Sequence, residues 1–337
     1  MHFAPAAVPG SPRGREQAQC ASSLQFASPA DADRETLLSG LRAPGAAIDP
    51  KFFYDTQGSL LFEAITALDE YYPTRTEAAL LGQHLPEIVA TAPVAGCTFV
   101  DLGAGDCQKA ARLFALVKPA RYAAVDISAD FLREALLRLQ RQFPEIEMLG
   151  VGTDFSARLE LPEAVPAERR LFFYPGSSIG NFPPDDAVTF LRSLRLEMRA
   201  DGVLWIGVDL QKPAAVLERA YDDELGVTAA FNRNLLRHVN RLAGTDFVLA
   251  DWRHVARYDQ RLGRIEMHLE AARDVEVRWP GGRRQFFAGE RIHTENSYKH
   301  TLAGFRDLLG AAGLRTVGSW TDPDQWFGFF VAVPGHP

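Results

Sequence analysis

Residues 98–106, Thr-Phe-Val-Asp-Leu-Gly-Ala-Gly-Asp, set an acid and two glycines at the end of a short apolar run. Glycine lets backbone turn sharply and lets a ligand approach to van der Waals contact. In an open α/β sheet such a turn lies at the carboxyl edge, where cofactors bind. Asp101, Gly103, Ala104 and Gly105 are therefore candidate ligand contacts. The dinucleotide fingerprint is incomplete, because its third glycine would fall near position 108, which is Gln108. Asp126 ends the run Ala123-Ala124-Val125, 21 residues beyond Gly105, where an acid can accept hydrogen bonds from ribose hydroxyls. Asp154-Phe155 ends a third run and would set a carboxylate and an aromatic ring beside a base. One acid at a strand end is more often a helix cap. Three acids at three successive strand ends point to a shared ligand.

The elements that position these acids follow from periodicity. Apolar runs at 98–102, 121–125, 147–151, 170–174 and 203–208 read as strands, with helical segments at 109–117, 129–142 and 184–198 between them. Apolar strands alternating with helices imply a parallel sheet covered on both faces. Beyond Asp209 the alternation stops. Residues 211–243 read as helix, and 246–250, 254–258, 264–271, 275–279 and 285–287 as short antiparallel strands. A helix at 302–312, stopped by Gly313, precedes strands at 316–320 and 327–333. Upstream, order is expected from about Glu35, with a short helix ending at Gly45, an apolar helical pattern over 52–68, and a helix over 76–90 that Pro86 bends or interrupts.

Composition bounds the rest. A chain of 337 residues that is 47% hydrophobic can bury a large core, more readily as two domains than one. The formal charge of −7 argues against a nucleic-acid surface. Three cysteines (Cys20, Cys97 and Cys107) lack metal-ligand spacing and suit a reducing cytosol, so neither a metal nor a disulfide framework is expected. No apolar run approaches the roughly 20 residues that a spanning helix needs. No secretory signal is evident, and a cytoplasmic protein is expected. Residues 1–34, rich in Ala, Pro, Ser and Gly, read as a disordered leader.

The Gly-Ala-Gly-Asp turn resembles motif I of class I S-adenosylmethionine-dependent methyltransferases. Longer motifs narrow the resemblance: Tyr54-Asp55, Gly58-Ser59, Glu70-Tyr71-Tyr72-Pro73-Thr74-Arg75-Thr76-Glu77 and Gly176-Ser177-Ser178-Ile179-Gly180-Asn181. So do Ala220-Tyr221-Asp222-Asp223, Gly226-Val227-Thr228-Ala229-Ala230-Phe231-Asn232-Arg233-Asn234, Arg264-Ile265-Glu266-Met267 and Thr294-Glu295-Asn296-Ser297-Tyr298-Lys299. Together they resemble the histidine Nα-methyltransferases of ergothioneine biosynthesis, from about residue 36 to residue 333. The resemblance implies a Rossmann-like α/β sheet (73–210 with 300–337) that binds S-adenosylmethionine. It also implies a smaller α+β substrate-binding domain (35–72 with 211–299).

The resemblance further implies that Asn181 and Tyr221 hold a histidine carboxylate, and that Glu295 and Ser297 face its imidazole. Tyr54, Phe62, Tyr71 and Gly176 would surround the amine, and Met267 would favour imidazole over indole. Without it, the three aromatics would read as ordinary core residues. Asp126 would hold the ribose, Asp154 and Phe155 the adenine, Asp101 and the glycine turn the methionine end, and Lys109 a cofactor carboxylate. The chain departs from the family at Asn296, Tyr298 and His300, and at Ala104, Asp106 and Cys107 in the glycine turn. The implied reaction is three methyl transfers to the α-amine of L-histidine, giving hercynine and S-adenosylhomocysteine. The sulfonium methyl is already electrophilic. The acceptor of the amine proton is then water or a tyrosine. Another amino acid or imidazole compound (tryptophan, a thiohistidine) is the alternative substrate. A nicotinamide-dependent oxidoreductase or a non-catalytic adenosylmethionine-binding module are readings from other classes. No nucleic-acid or membrane partner is expected, and the chain is expected to act as a monomer.

Overall fold

The computed structural model describes residues 30–156 and 158–335. Most of the expected leader, and Cys20 with it, lies outside the described residues. The first helix is Ala30–Arg42, so it starts before Glu35 and stops short of Gly45. The strands in chain order are β1 (Thr98–Leu102), β2 (Arg121–Asp126), β3 (Glu147–Gly152), β4 (Arg170–Tyr174), β5 (Val203–Asp209) and β6 (Trp252–Asp259). They continue with β7 (Arg264–Ala271), β8 (Val275–Trp279), β9 (Gly282–Phe286), β10 (Arg291–Tyr298), β11 (Leu314–Thr321) and β12 (Phe327–Pro334).

Among the described residues, one sheet has the order β3-β2-β1-β4-β5-β12-β11. The pairs from β3 to β5 are parallel, and β12 joins β5 antiparallel. This is the Rossmann-like α/β fold that the alternation implies. Strand order reverses between β1 and β4, and ligands of open α/β sheets bind outside such a switch point. Alternate residues feed two cores. Phe99, Tyr122, Phe173 and Trp205 pack on one face, and Val100, Phe172, Leu204 and Ile206 on the other. Helix Pro184–Met198 buries Ala187, Phe190, Leu191, Leu194 and Met198, the 3.6-residue stripe of a sheet-covering helix.

A second, antiparallel sheet has the order β10-β7-β6, with β8–β9 as a separate hairpin. It shares a third core with helices Thr56–Thr66 and Val227–Ala243, including Leu235, Val239, Trp252, Met267 and Leu269. No helix among the described residues is long and apolar enough to cross a membrane.

Several boundaries differ from the sequence expectation. Residues 109–117 form two short helices, Gln108–Ala111 and Phe114–Val117. Helix Tyr72–Thr91 continues through Pro86. Pro86 and Gly82 are both exposed, so the carbonyl that the proline leaves without a donor can meet water. The helical stretch 211–243 breaks at Asp222–Gly226, where the Asp223 carboxylate accepts from Val227 N at 2.9 Å and Thr228 N at 2.8 Å and caps the second helix. Residues 246–250 are not a strand, because Asn240 holds Phe247 N and the Thr245 hydroxyl through its Oδ1. Strand β10 falls outside the expected set.

One close approach links the two sheets. A 3₁₀ turn, Ser178–Asn181, presses on β10, and a Cβ at Gly180 would lie 2.7 Å from the Tyr298 carbonyl oxygen. Gly180→Ala must part these elements, and the overpacking should cost about 1–3 kcal/mol. Urea unfolding checks this: a lower midpoint at constant slope is expected, and an unmoved midpoint would show that the turn yields freely.

Candidate active site

The acids named from the sequence occupy the carboxyl edge of the large sheet in two ways. Asp126, Asp154 and Phe155 line a cleft of about 530 Å³. Asp126 accepts from Gly105 N at 2.9 Å and Ser128 N at 2.8 Å, one on each oxygen, so each oxygen keeps a lone pair. Burial raises its pKa, and these backbone bonds oppose the rise. Burial would also raise Asp154, but the Ser156 hydroxyl and N–H and the Lys51 ammonium at 3.1 Å outweigh it and hold Asp154 low. Phe155 meets Tyr174 edge-on, with centroids 6.2 Å apart.

Asp101 is not on that cleft wall. It is buried in β1, accepts from the Tyr122 hydroxyl at 2.7 Å, and is pushed up to about 7 by burial. Gly103 and Gly105 adopt φ of +70° and +52° on either side of Ala104, conformations that glycine enters freely. Lys109 pairs with Glu77 at 2.9 Å. The other oxygen of Glu77 accepts from Gly176 N at 2.8 Å, which ties the glycine turn to the loop after β4.

Nine residues named from the sequence come together elsewhere. Tyr54, Phe62, Tyr71, Gly176, Asn181, Tyr221, Met267, Glu295 and Ser297 line one cavity, and Tyr54, Ser178 and Asn181 belong both to it and to the cleft. The aromatic walls interlock edge to face: Tyr54 with Phe62, Phe62 with Tyr71, and Tyr71 with Tyr221, at 5.9–6.2 Å. Asn181 Nδ2 donates to Glu295 Oε1 at 3.2 Å. Burial pushes Glu295 up to about 7, against the pull of Lys299 and Asn181. Burial also pushes Tyr54, Tyr71 and Tyr221 well above the ordinary phenol range. All three stay protonated at neutral pH.

Sequence reasoning gave no role to Thr228 and Phe231, which also line this cavity, to Lys51 and Glu77, or to Lys299. Thr228, Phe231, Glu77 and Lys299 stood inside the quoted motifs. Their signal was position within those motifs, and for Lys299 also the two-residue step from Glu295 through Ser297 that one strand face requires.

Residues 33–334 match the family described as histidine-specific, SAM-dependent methyltransferases. The chain is 40% identical over 320 residues to the histidine N-alpha-methyltransferase of Mycolicibacterium smegmatis, covering 93% of this chain and 98% of that one. It is 39% identical over 314 residues to the protein of the same name from Mycobacterium tuberculosis, covering 89% and 94%. Ergothioneine biosynthesis protein 1 of Neurospora crassa is 33% identical over 282 residues, covering 81% of this chain and 32% of that one. The chain belongs to the family of histidine-specific, S-adenosylmethionine-dependent methyltransferases.

Proposed function

We propose that this chain transfers three methyl groups to the α-amine of L-histidine, giving hercynine and S-adenosylhomocysteine. One observation carries the proposal. Glu295 and Ser297, suited to an imidazole, share a cavity with Asn181 and Tyr221, suited to a carboxylate, and that cavity adjoins the acid-lined cleft. S-adenosylmethionine, when bound, supplies a methyl group already activated on a sulfonium. Asp126 would hold the ribose hydroxyls with the lone pairs that Gly105 and Ser128 leave. Asp154 and Phe155 would meet the adenine. Lys109 and the Gly103-Ala104-Gly105 backbone would hold the methionine end, with Asp101 supporting the turn from β1.

On the substrate side, ionised Glu295 accepts one ring N–H and the Ser297 hydroxyl donates to the other ring nitrogen. Such pairing fixes tautomer and orientation together. The Asn181 amide and the Tyr221 hydroxyl donate to the carboxylate. Methylation needs a neutral amine, and the partly desolvating walls of Tyr54, Phe62 and Tyr71 lower its pKa. Gly176 leaves room beside the amine, and Met267 packs against the ring. The tyrosines remain phenols and do not act as bases, so the proton leaves to water. The same ring faces then attract the methylated ammonium by cation–π interaction.

Incubation with L-histidine and isotopically labelled S-adenosylmethionine tests the proposal. Stepwise gain of three labelled methyls on histidine is expected, and label on tryptophan or thiohistidine but not on histidine would overturn it. Asp126→Ala should weaken cofactor binding by roughly 1.5–3 kcal/mol, the loss for hydrogen bonds to a charged group. Calorimetry showing unchanged affinity in the folded variant removes the ribose assignment. Glu295→Ala should cut histidine kcat/KM by about 10²-fold, on the order of 3 kcal/mol, and open the site to larger apolar rings such as tryptophan. Wild-type efficiency on histidine would mean that the imidazole is recognised elsewhere.

Glu295 also makes a stability prediction. Its folded pKa of about 7 exceeds the unfolded value of 4.5. Between these values the folded state binds more protons, so stability falls as pH rises, and the cost is complete above about 7. Glu295→Gln should therefore gain roughly 3 kcal/mol on the wild type at pH 8 and little near pH 4.5. Denaturant unfolding at the two pH values checks this, and an equal difference at both would show an ordinary carboxyl.

A further inference from the structure

Tyr221 and Ser297 are reached by a buried cation that the proposed reaction does not yet use. Lys299 follows β10 with no side-chain exposure. Its Nζ lies 2.8 Å from Asp209 Oδ2, 2.8 Å from Ser297 Oγ and 3.0 Å from the Tyr221 hydroxyl. An ammonium has three protons and no lone pair, and here three oxygens receive them. Ser297 Oγ also accepts from the Tyr221 hydroxyl at 2.7 Å. Both lone pairs of Ser297 are thus filled here, and its own proton is free to point into the cavity. The single Tyr221 proton would turn from Ser297 to a bound carboxylate, and Ser297 would then keep the bond from Lys299 alone. Tyr221 accepts from Lys299 as well, so its proton too is directed away from the ammonium.

We propose that Lys299 is a positioning residue: its ammonium fixes the Tyr221 and Ser297 hydroxyls as hydrogen-bond donors toward the substrate carboxylate and the unprotonated ring nitrogen. This rests on the histidine assignment above. An oxygen that accepts from a charged donor becomes a stronger donor itself, so the cation improves both outgoing bonds without touching substrate. Asp209 keeps a counter-charge without Lys299, because Lys212 donates to Asp209 Oδ1 at 2.5 Å and Tyr72 to Oδ2 at 2.6 Å.

Lys299→Met removes the ammonium and leaves Asp209 and Lys212 as a balanced pair. Lys299→Gln, carried in parallel, covers failure of the methionine variant to fold. Each is assayed with L-histidine in the wild-type background and in a Tyr221→Phe/Ser297→Ala background. In the first, the KM for histidine should rise about tenfold or more with kcat nearly unchanged. In the second, the further rise should be under about threefold, since coupled residues lose additivity. The same increment in both backgrounds would make Lys299 a fold residue and overturn the proposal alone. A wild-type KM in the Tyr221→Phe/Ser297→Ala protein would overturn the assigned roles of those hydroxyls, and Lys299 with them.

Discussion

Asp209 closes β5 with no exposure, and on its carboxylate converge Lys299 at 2.8 Å, Lys212 at 2.5 Å and the Tyr72 hydroxyl at 2.6 Å. Its backbone N–H donates to Ser177 Oγ at 2.8 Å, and its carbonyl accepts from His300 N at 3.0 Å. Burial alone would raise this carboxyl, yet the two ammonium groups hold it below the usual range. A buried charge that loses its partner costs about 3–5 kcal/mol, so the elements carrying these partners cannot drift independently. Three of these partners stand next to the cavity in the chain or on it: Tyr72 beside Tyr71, Lys299 two residues beyond Ser297, and Ser177 itself on the wall. The large sheet, the helix from Tyr72 and the end of β10 are thereby registered on one carboxylate. The geometry of the cavity depends on that registration.

The carboxylates that face ligand space are treated in the opposite way. Among the described residues, Glu295 has no cation within hydrogen-bond distance and accepts from the Asn181 amide, and burial leaves it near 7. Asp126 is raised as well, whereas Glu266, gripped by Arg264 and Arg257, falls to about 2 despite its own burial. Paired acids hold the scaffold, and the acids that line the cavity and the cleft keep unfilled acceptor capacity, which suits them to the donors proposed above. Perturbation of this kind concentrates at functional sites. Asp154 is the mixed case: Lys51 and Ser156 already satisfy it, so in the proposed adenine role it would share its carboxylate with them.

The large sheet was legible in the sequence because its strands are buried on both faces and read as continuous apolar runs. Strands β1 and β4 carry the expected limits, and β2, β3 and β5 extend one residue further. Strand β10, Arg-Ile-His-Thr-Glu-Asn-Ser-Tyr, was invisible to that signal because its inward positions are polar. The features that hide it as a strand are those that equip it as a site. Charge pairing at long range was equally illegible. Nothing local in the sequence joins Lys299 to Asp209 or Lys109 to Glu77, since those contacts exist only once β5, β10 and the Tyr72–Thr91 helix are assembled.

The phase of β10 is then set by a single irregularity. Its register against β7 runs from His293 opposite His268 to Glu295 opposite Met267, with Thr294 as the extra residue of a bulge. Thr294 is buried and donates its hydroxyl to the Met267 carbonyl at 3.0 Å. Side chains alternate along a strand, and an inserted residue exchanges the two faces beyond it. Before the bulge, Ile292 packs into the core of the small sheet. After it, Glu295 and Ser297 face the cavity, while Asn296 between them lines the neighbouring cleft. Were Thr294 paired in regular register instead, the even-numbered positions would keep the inward phase of Ile292, and Asn296 rather than Glu295 would face the cavity. Alternation along one short polar strand thus serves both compartments, and the bulge at Thr294 decides which residue meets which.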